Sequence, residues 1–348
     1  MTRSNVFLQT AVIVGAGSSS STPKISCIVA SPVSCATCKE AAENPTSMNH
    51  RLNPCFLLQF RVGDPILQNS DDDTLIVKQS NKLKQSSCTP TFNVLVDCGK
   101  TFRESALKVF PSHQVKELRA VLLTHDHADA CFGLDDLREF SHPGRPVTVY
   151  CDAKTNARMQ SVFPYLCPPV VSCSAQRGDT QSQLYVASIA WKEMEANSLL
   201  RIQLGKDLFY DCFVIAVEHG PGYLCNAFLF PLPPAAGDDK MKYIFYASDI
   251  SSFSQEQWFQ VQERYLRPNN GSITILILDM LSTSPYISHF CSRQAVDCAL
   301  MIGASATYFV GLSHSMEYGV TQKWLREQCS GNMNVGFDGC VVFDRDHR

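Results

Sequence analysis

Apolar residues in this chain gather mostly into runs of four to seven. The runs are rich in β-branched and aromatic side chains and bounded by turn formers or polar residues, which is the pattern of short buried strands. They predict strands at Ala11–Val14, Cys55–Val62, Asn93–Val96, Ala120–Leu123, Val147–Cys151, Phe213–Val217, Tyr243–Ala247, Ile273–Leu278 and Thr307–Val310. Segments of helical character alternate with them: Phe102–Val109, Gly133–Phe140, Thr155–Phe163, Gln255–Tyr265, Arg293–Ile302 and Met316–Gln328. Thr101 precedes the first helix, and Ser292 is placed to cap the one at 293. Between about 63 and 90 the texture changes: Asp71-Asp72-Asp73 sits among Ser, Gln, Asn and Lys, a polar insertion between two strands. A second loose stretch runs from Ser172 to Gln183. Neither reads as a linker, because strands on both sides are needed to fill one core. The expectation is a single layered α/β domain over 1–348, with no internal repeat.

Composition narrows the function. The 348 residues carry a net charge of −3 and no Lys/Arg run that could track a phosphate backbone, so no extended nucleic-acid surface is expected. No apolar stretch is long enough for a membrane span, and Ala11-Val12-Ile13-Val14 is too short for the core of a secretory signal. A cytoplasmic, reducing location is the expectation. There the sixteen cysteines serve as free thiols or metal ligands. Cys98, Cys212 and Cys225 sit in apolar runs as small core residues; Cys27, Cys35 and Cys38 do not.

The strand Ala120–Leu123 runs directly into Thr124-His125-Asp126-His127-Ala128-Asp129. Two histidines two apart cannot share a helix face, but on a tight loop both imidazoles can converge on one cation, with a carboxylate to complete or orient the site. The competing reading is a solvated polar turn. His219, Asp249 and Asp279 each follow another apolar strand; alone each is a weak signal, and together they are a set one sheet edge could gather. Asp97, after Asn93–Val96, is as readily explained by capping a turn or holding the His loop.

In this order and spacing, Asp97, His125-x-His127-x-Asp129, His219 and Asp249 resemble the metallo-β-lactamase superfamily. Within it the chain is similar to phosphoribosyl 1,2-cyclic phosphate phosphodiesterases and their eukaryotic relatives. The matching stretches are Gly15-Ala16-Gly17-Ser18-Ser19, Cys27 with Cys35-Ala36-Thr37-Cys38, Val96 to Arg103, Gly133 to Arg138, Ser288-His289-Phe290, Leu312-Ser313-His314 and Gly336-Phe337-Asp338-Gly339. The resemblance implies an αββα sandwich, two mixed sheets flanked by helices, with metal at one edge. It also implies a structural zinc on Cys27, Cys35, Cys38 and His314, a closed Cys₃His set in which Cys-x-x-Cys places two thiolates on one tetrahedral ion. Free thiols are the plainer alternative.

Two positions depart from the family pattern. Its dinuclear members read His-x-His-x-Asp-His, where this chain has Ala130. A second histidine expected three residues before His314 is Gly311. Both losses fall on one of the two ions, so the expectation is a single active-site zinc or manganese on His125, His127, His219 and Asp249. Asp129 becomes the candidate general base, and His289 matches the histidine that serves the leaving oxygen, against the alternative of a loop histidine without a role. Asp279 is expected to support the site, whereas Asp135 and Asp136 at a helix start only complement its dipole. The implied substrate is a small cyclic phosphate or nucleotide-like ester, with a homodimer as the implied assembly. tRNA 3′-end processing is disfavoured by the single ion and by an insertion of mixed charge. A thioester or lactam hydrolase stays open, as does a silent scaffold protein on the same fold.

Overall fold

The computed structural model describes residues 6–63, 91–142, 144–167, 189–234, 240–328 and 332–347. The polar insertion and the stretch at 172–183 fall outside them, apart from Gly63. Two seven-stranded sheets stack face to face. The first has the order β14-β1-β2-β3-β4-β5-β6, with β1 at Val6–Gly15, β2 at Cys55–Val62, β3 at Thr91–Val96, β4 at Ala120–Leu122, β5 at Val147–Cys151, β6 at Ile189–Glu193 and β14 at Cys340–Asp344. The second runs β13-β12-β11-β10-β9-β8-β7. Its strands are β7 (Ser198–Gln203), β8 (Phe209–Glu218), β9 (Leu224–Leu232), β10 (Lys242–Ala247), β11 (Ser272–Asp279), β12 (Ala306–Val310) and β13 (Met333–Val335).

Each sheet combines three antiparallel pairings with three parallel ones in the same succession. The halves therefore share an architecture without sharing a detectable sequence repeat. Alternate residues of both sheets meet in the central core, where Phe56 and Phe60 face Phe228, Phe230 and Tyr246, and the Phe56 and Tyr246 rings stack at 5.2 Å. On the outer face of the first sheet lie α3 (Phe102–Val109) and α5 (Ala153–Val162); on that of the second lie α6 (Gln255–Val261), α7 (Ser292–Ile302) and α8 (Tyr318–Gln328). With helices over both outer faces, the central parallel strands are buried on both sides and read as continuous apolar runs.

Several expectations need correction. Gly133–Phe140 forms a 3-10 helix over Leu134–Phe140. Ser292 lies inside α7; the cap is Cys291, whose backbone N–H is held by the Gln294 side chain at 3.0 Å. The last helix begins at Tyr318, two residues after Met316. Three short helices were not anticipated: α1 (Ile25–Ile28), α2 (Ala36–Glu43) and α4 (Ala128–Cys131). Strands β6, β7, β9, β13 and β14 were not anticipated either. Edge strands bury one face at most, and β9 reads as one apolar run that periodicity alone cannot assign.

The chain leaves β3, β4, β8, β10, β11 and β12 at one edge of the sandwich. Asp97, His125, His219, Asp249, Asp279 and Gly311 all fall there, at a strand end or one to three residues past it.

Candidate metal centre

The His loop is held from below. Asp97, at φ 63°, accepts from the Thr124 backbone N–H at 2.8 Å and from the Thr124 hydroxyl at 3.0 Å, so its carboxylate organises the loop. Thr124 Oγ1 in turn lies 2.8 Å from His125 Nδ1. With the Thr124 hydroxyl proton directed to Asp97, His125 Nδ1–H is the donor to Thr124 and Nε2 keeps its lone pair. That Nε2 atom is buried and has no hydrogen-bond partner among the described residues. Burial, reinforced by the neighbouring His219 and His127 and opposed by Asp249, holds the His125 pKa down to about 3, so the ring stays neutral.

His219 donates from Nδ1 to the Ser288 carbonyl at 2.7 Å, which leaves its Nε2 facing His127 Nδ1 at 3.3 Å. The ligating nitrogens of His125, His127 and His219 lie within 4.8 Å of one another. A second group under the same limit contains His219, Asp249 and His289. His219 is thus common to both, and the four expected ligands divide between two adjoining groups. Burial works against charge on Asp249, but His125, His219 and His289 hold it down to about 2, and Ser248 donates to it at 2.8 Å.

His289 also meets a carboxylate: its Nδ1 donates to Asp279 Oδ2 at 2.8 Å, so Nε2 is the atom presented to the site. Burial lowers the His289 pKa, yet Asp279 outweighs it and the ring is raised to about 9. Asp129 is buried, outside both groups, and pushed upward by burial and by Asp249. The 311 position is closed to a histidine: Gly311 has φ +77°, and a Cβ there would lie 2.7 Å from Asp279 Oδ1. Asp279 and the Ser248 carbonyl therefore occupy that side of the glycine.

Sequence reading missed a supporting network around Asp126. This fully buried carboxylate accepts from the Tyr223 hydroxyl, from Arg158 Nη1 at 3.0 Å, and pairs with Lys154 at 3.7 Å. Tyr223 stacks on His127 with ring centres 5.0 Å apart and planes 15° from parallel, while Lys154 Nζ lies 3.8 Å from the centre of the Tyr223 ring. The only early hint of it was Asp126 itself, placed between two candidate ligands.

The sulfurs of Cys27 and Cys35 each lie 3.4 Å from His314 Nδ1, and with Cys38 the four atoms fall within 4.8 Å. Arg51, fully buried, holds the turn that carries His314 by donating to the Ser313 and Met316 carbonyls at 3.0 and 2.8 Å. Three soft sulfurs and one imidazole fit zinc. The orphaned His125 Nε2, with two further imidazoles and a carboxylate beside it, fits a second divalent cation of the zinc or manganese type.

A family model for the β-lactamase superfamily domain matches residues 92–311, so the chain belongs to that superfamily. Among solved structures it is similar to a diphosphatase of the PhnP family, at 21% identity and TM-score 0.63 over 96% of this chain and 97% of that one. Zinc-bound PqqB from Methylobacterium extorquens follows at 14% identity and TM-score 0.61, over 96% and 99%. The short form of human tRNase Z is similar at 13% identity and TM-score 0.50, over 96% and 98%. These likenesses bear on the fold, which is the αββα metallo-β-lactamase sandwich. No curated protein matches the chain by sequence. No helix among the described residues is long and apolar enough to cross a membrane.

Proposed function

We propose that the protein is a metal-dependent phosphodiesterase acting on a small cyclic phosphate or nucleotide-like ester. The observation that carries the reading is the buried, unpartnered His125 Nε2 facing two further imidazoles, with the Asp279–His289 pair beside them. A buried polar atom without a partner costs about 1–3 kcal/mol, so its retention calls for a ligand. His125, His127, His219 and Asp249 would hold one zinc or manganese ion, which supplies Lewis acidity toward a phosphoryl oxygen and toward water. Asp129 takes a proton from the attacking water as its oxygen bonds to phosphorus. His289 Nε2 gives a proton to the departing alcohol oxygen as that P–O bond breaks, and Asp279 holds the ring in position. Cys27, Cys35, Cys38 and His314 would hold a structural zinc, giving two ions per chain. The cytoplasm suits a protein that keeps these thiols reduced.

A two-ion active site is the second reading, favoured by the His219–Asp249–His289 group. There His289 would be a ligand and could not serve as the acid. Elemental analysis of wild type beside His125→Ala, with turnover of bis(p-nitrophenyl) phosphate, tests the proposal. The expected result is two ions falling to one, with loss of turnover. Anomalous scattering separates the two readings: two full active-site peaks about 3.5–4 Å apart would establish the two-ion clamp. One ion in wild type with no turnover would leave a scaffold protein.

A further inference from the structure

The outer face of the first sheet changes character along its length. Paired residues of β2 and β3 on that face run Leu57–Leu95, Gln59–Asn93 and Arg61–Thr91, so an apolar floor turns polar toward the N-terminal end of β3. β1 adds to the polar end. Its register passes from Leu8 opposite Phe60 to Thr10 opposite Gln59, which leaves Gln9 as the extra residue of a β-bulge. Such a bulge re-aims a side chain, and here Gln9 and Thr10 line one cavity with Gln59 and Arg61. The cavity holds about 550 Å³. Thr91, also in its lining, lies at the opposite end of β3 from Asp97, about 20 Å along the strand. It is therefore separate from the metal centre.

Two amides build its wall. Gln59 Nε2 donates to Asn93 Oδ1 at 2.9 Å and to the His113 carbonyl at 3.0 Å, and Asn93 Nδ2 donates to the Glu117 carbonyl at 2.9 Å. These bonds fasten the 113–117 segment over the sheet. Gln9 takes no part in them. It is 5% exposed, yet its side-chain amide has no hydrogen-bond partner among the described residues. A buried amide left unpaired costs stability, and a leucine of similar size would not. Gln9 is thus a donor and an acceptor held ready for a molecule that enters the cavity.

The charges around it have a sign. Glu117 is already neutralised, with one oxygen 2.8 Å from Arg119 and the other 2.9 Å from Arg145. Burial holds the His113 imidazole below its usual pKa, so that ring is neutral at pH 7. Against the remaining carboxylate, Asp344, stand Arg61 and Lys116. Among the described residues Arg61 pairs with Asp346 at 3.8 Å, and Lys116 makes no ion pair. The excess is positive, which suits an anion. Val341 is the one apolar residue of the lining, and it holds no Phe, Tyr or Trp ring on which a nucleobase could stack.

We propose that this cavity is a second ligand site, for a small non-aromatic oxyanion bearing hydroxyl groups, a hydroxycarboxylate or a polyol phosphate. Arg61 and Lys116 take the anionic group, while Gln9 and Gln59 Oε1 bond the hydroxyls. The proposal stands apart from the phosphodiesterase reading, because no residue of the metal centre enters it.

L-Malate and glycerol 3-phosphate are the probes, each titrated calorimetrically into the wild-type protein at constant ionic strength, with sulfate as control. At least one should bind saturably and raise the melting temperature with its concentration, and which one does so identifies the anionic group. Gln9→Leu and Lys116→Gln should each weaken that binding by roughly 10-fold or more. Without ligand, Gln9→Leu should melt no lower than wild type, since it removes an unpaired buried amide. Lys116 is exposed, so Lys116→Gln keeps the test decisive if Gln9→Leu does not fold. Failure of both probes to bind overturns the proposal, as does sulfate binding as tightly as the better probe. Affinity unchanged in Lys116→Gln also overturns it, and would place the probe at the metal centre instead.

Discussion

His289 shows how one side chain's role depends on the atom it presents. Its Nδ1 is committed to Asp279, a carboxylate with no solvent exposure, so only Nε2 is available to a substrate. Ionised Asp279 favours the imidazolium, the form that can donate a proton. General acid help matters most when the departing oxygen is a poor leaving group. His289→Ala should therefore slow hydrolysis of alkyl phosphodiesters by about 10²–10⁴-fold and that of nitrophenyl esters far less. Steady-state rates on a matched alkyl and nitrophenyl pair give the answer, and equal losses would mean a positioning role or a ligand role instead. Asp97 illustrates the opposite outcome. It has the place in sequence of a ligand, but both of its oxygens are occupied by Thr124. Its contribution is to aim His125, through a hydroxyl that no sequence pattern singles out.

At the scale of elements, the least self-sufficient segment is the one that carries the cysteines. Helix α1 is four residues long, buries none of them, and leaves Ile25 79% exposed. Hydrophobic packing cannot hold it, so its place depends on the Cys27–Cys35–Cys38–His314 cluster and on Arg51 behind the His314 turn. Cys35→Ser should lower the melting temperature and speed backbone hydrogen exchange across 22–38, because a closed zinc site contributes its binding free energy to folding. A variant that melts like wild type and keeps its full metal content would show that the cluster is four unconnected side chains. Arg51→Met should also destabilise, by about 1–3 kcal/mol for each of the two carbonyls left without a donor. Denaturant unfolding measures that loss directly.

Over the whole molecule, Asp338 joins segments far apart in sequence. Its carboxylate accepts from the Ala16 and Leu52 backbone N–H groups and from Lys108 Nζ at 3.3 Å. Burial raises its pKa from 3.8 to about 6 against the pull of Lys108. The folded chain then holds this proton more tightly than the unfolded chain does. The contribution is stabilising below pH 4 and is lost as pH rises through about 6, a change on the order of 3 kcal/mol. Asp338→Asn should remove that segment of the stability–pH curve, whatever its effect on absolute stability; denaturant midpoints between pH 4 and 7 provide the check. An unchanged slope would place the proton elsewhere. Much of this protein was legible before any coordinate. Apolar runs marked the buried strands because a strand covered on both faces has no polar positions to spare. The His125-Asp126-His127 loop, His219 and Asp249 stood out because ionisable groups directly after such strands are costly without a purpose. Short edge strands, the 3-10 turn at Leu134–Phe140 and the insertion of α1 and α2 carried no comparable signal, since each depends on neighbours distant in sequence. Composition also fixed the net charge of −3, but the sum conceals its distribution. Only the tertiary structure divided the candidate ligands into two groups sharing His219, committed Asp97 to Thr124, and closed position 311 against Asp279. Those outcomes follow from which strand ends meet at the sandwich edge, and contacts between residues hundreds of positions apart are not encoded in any local pattern.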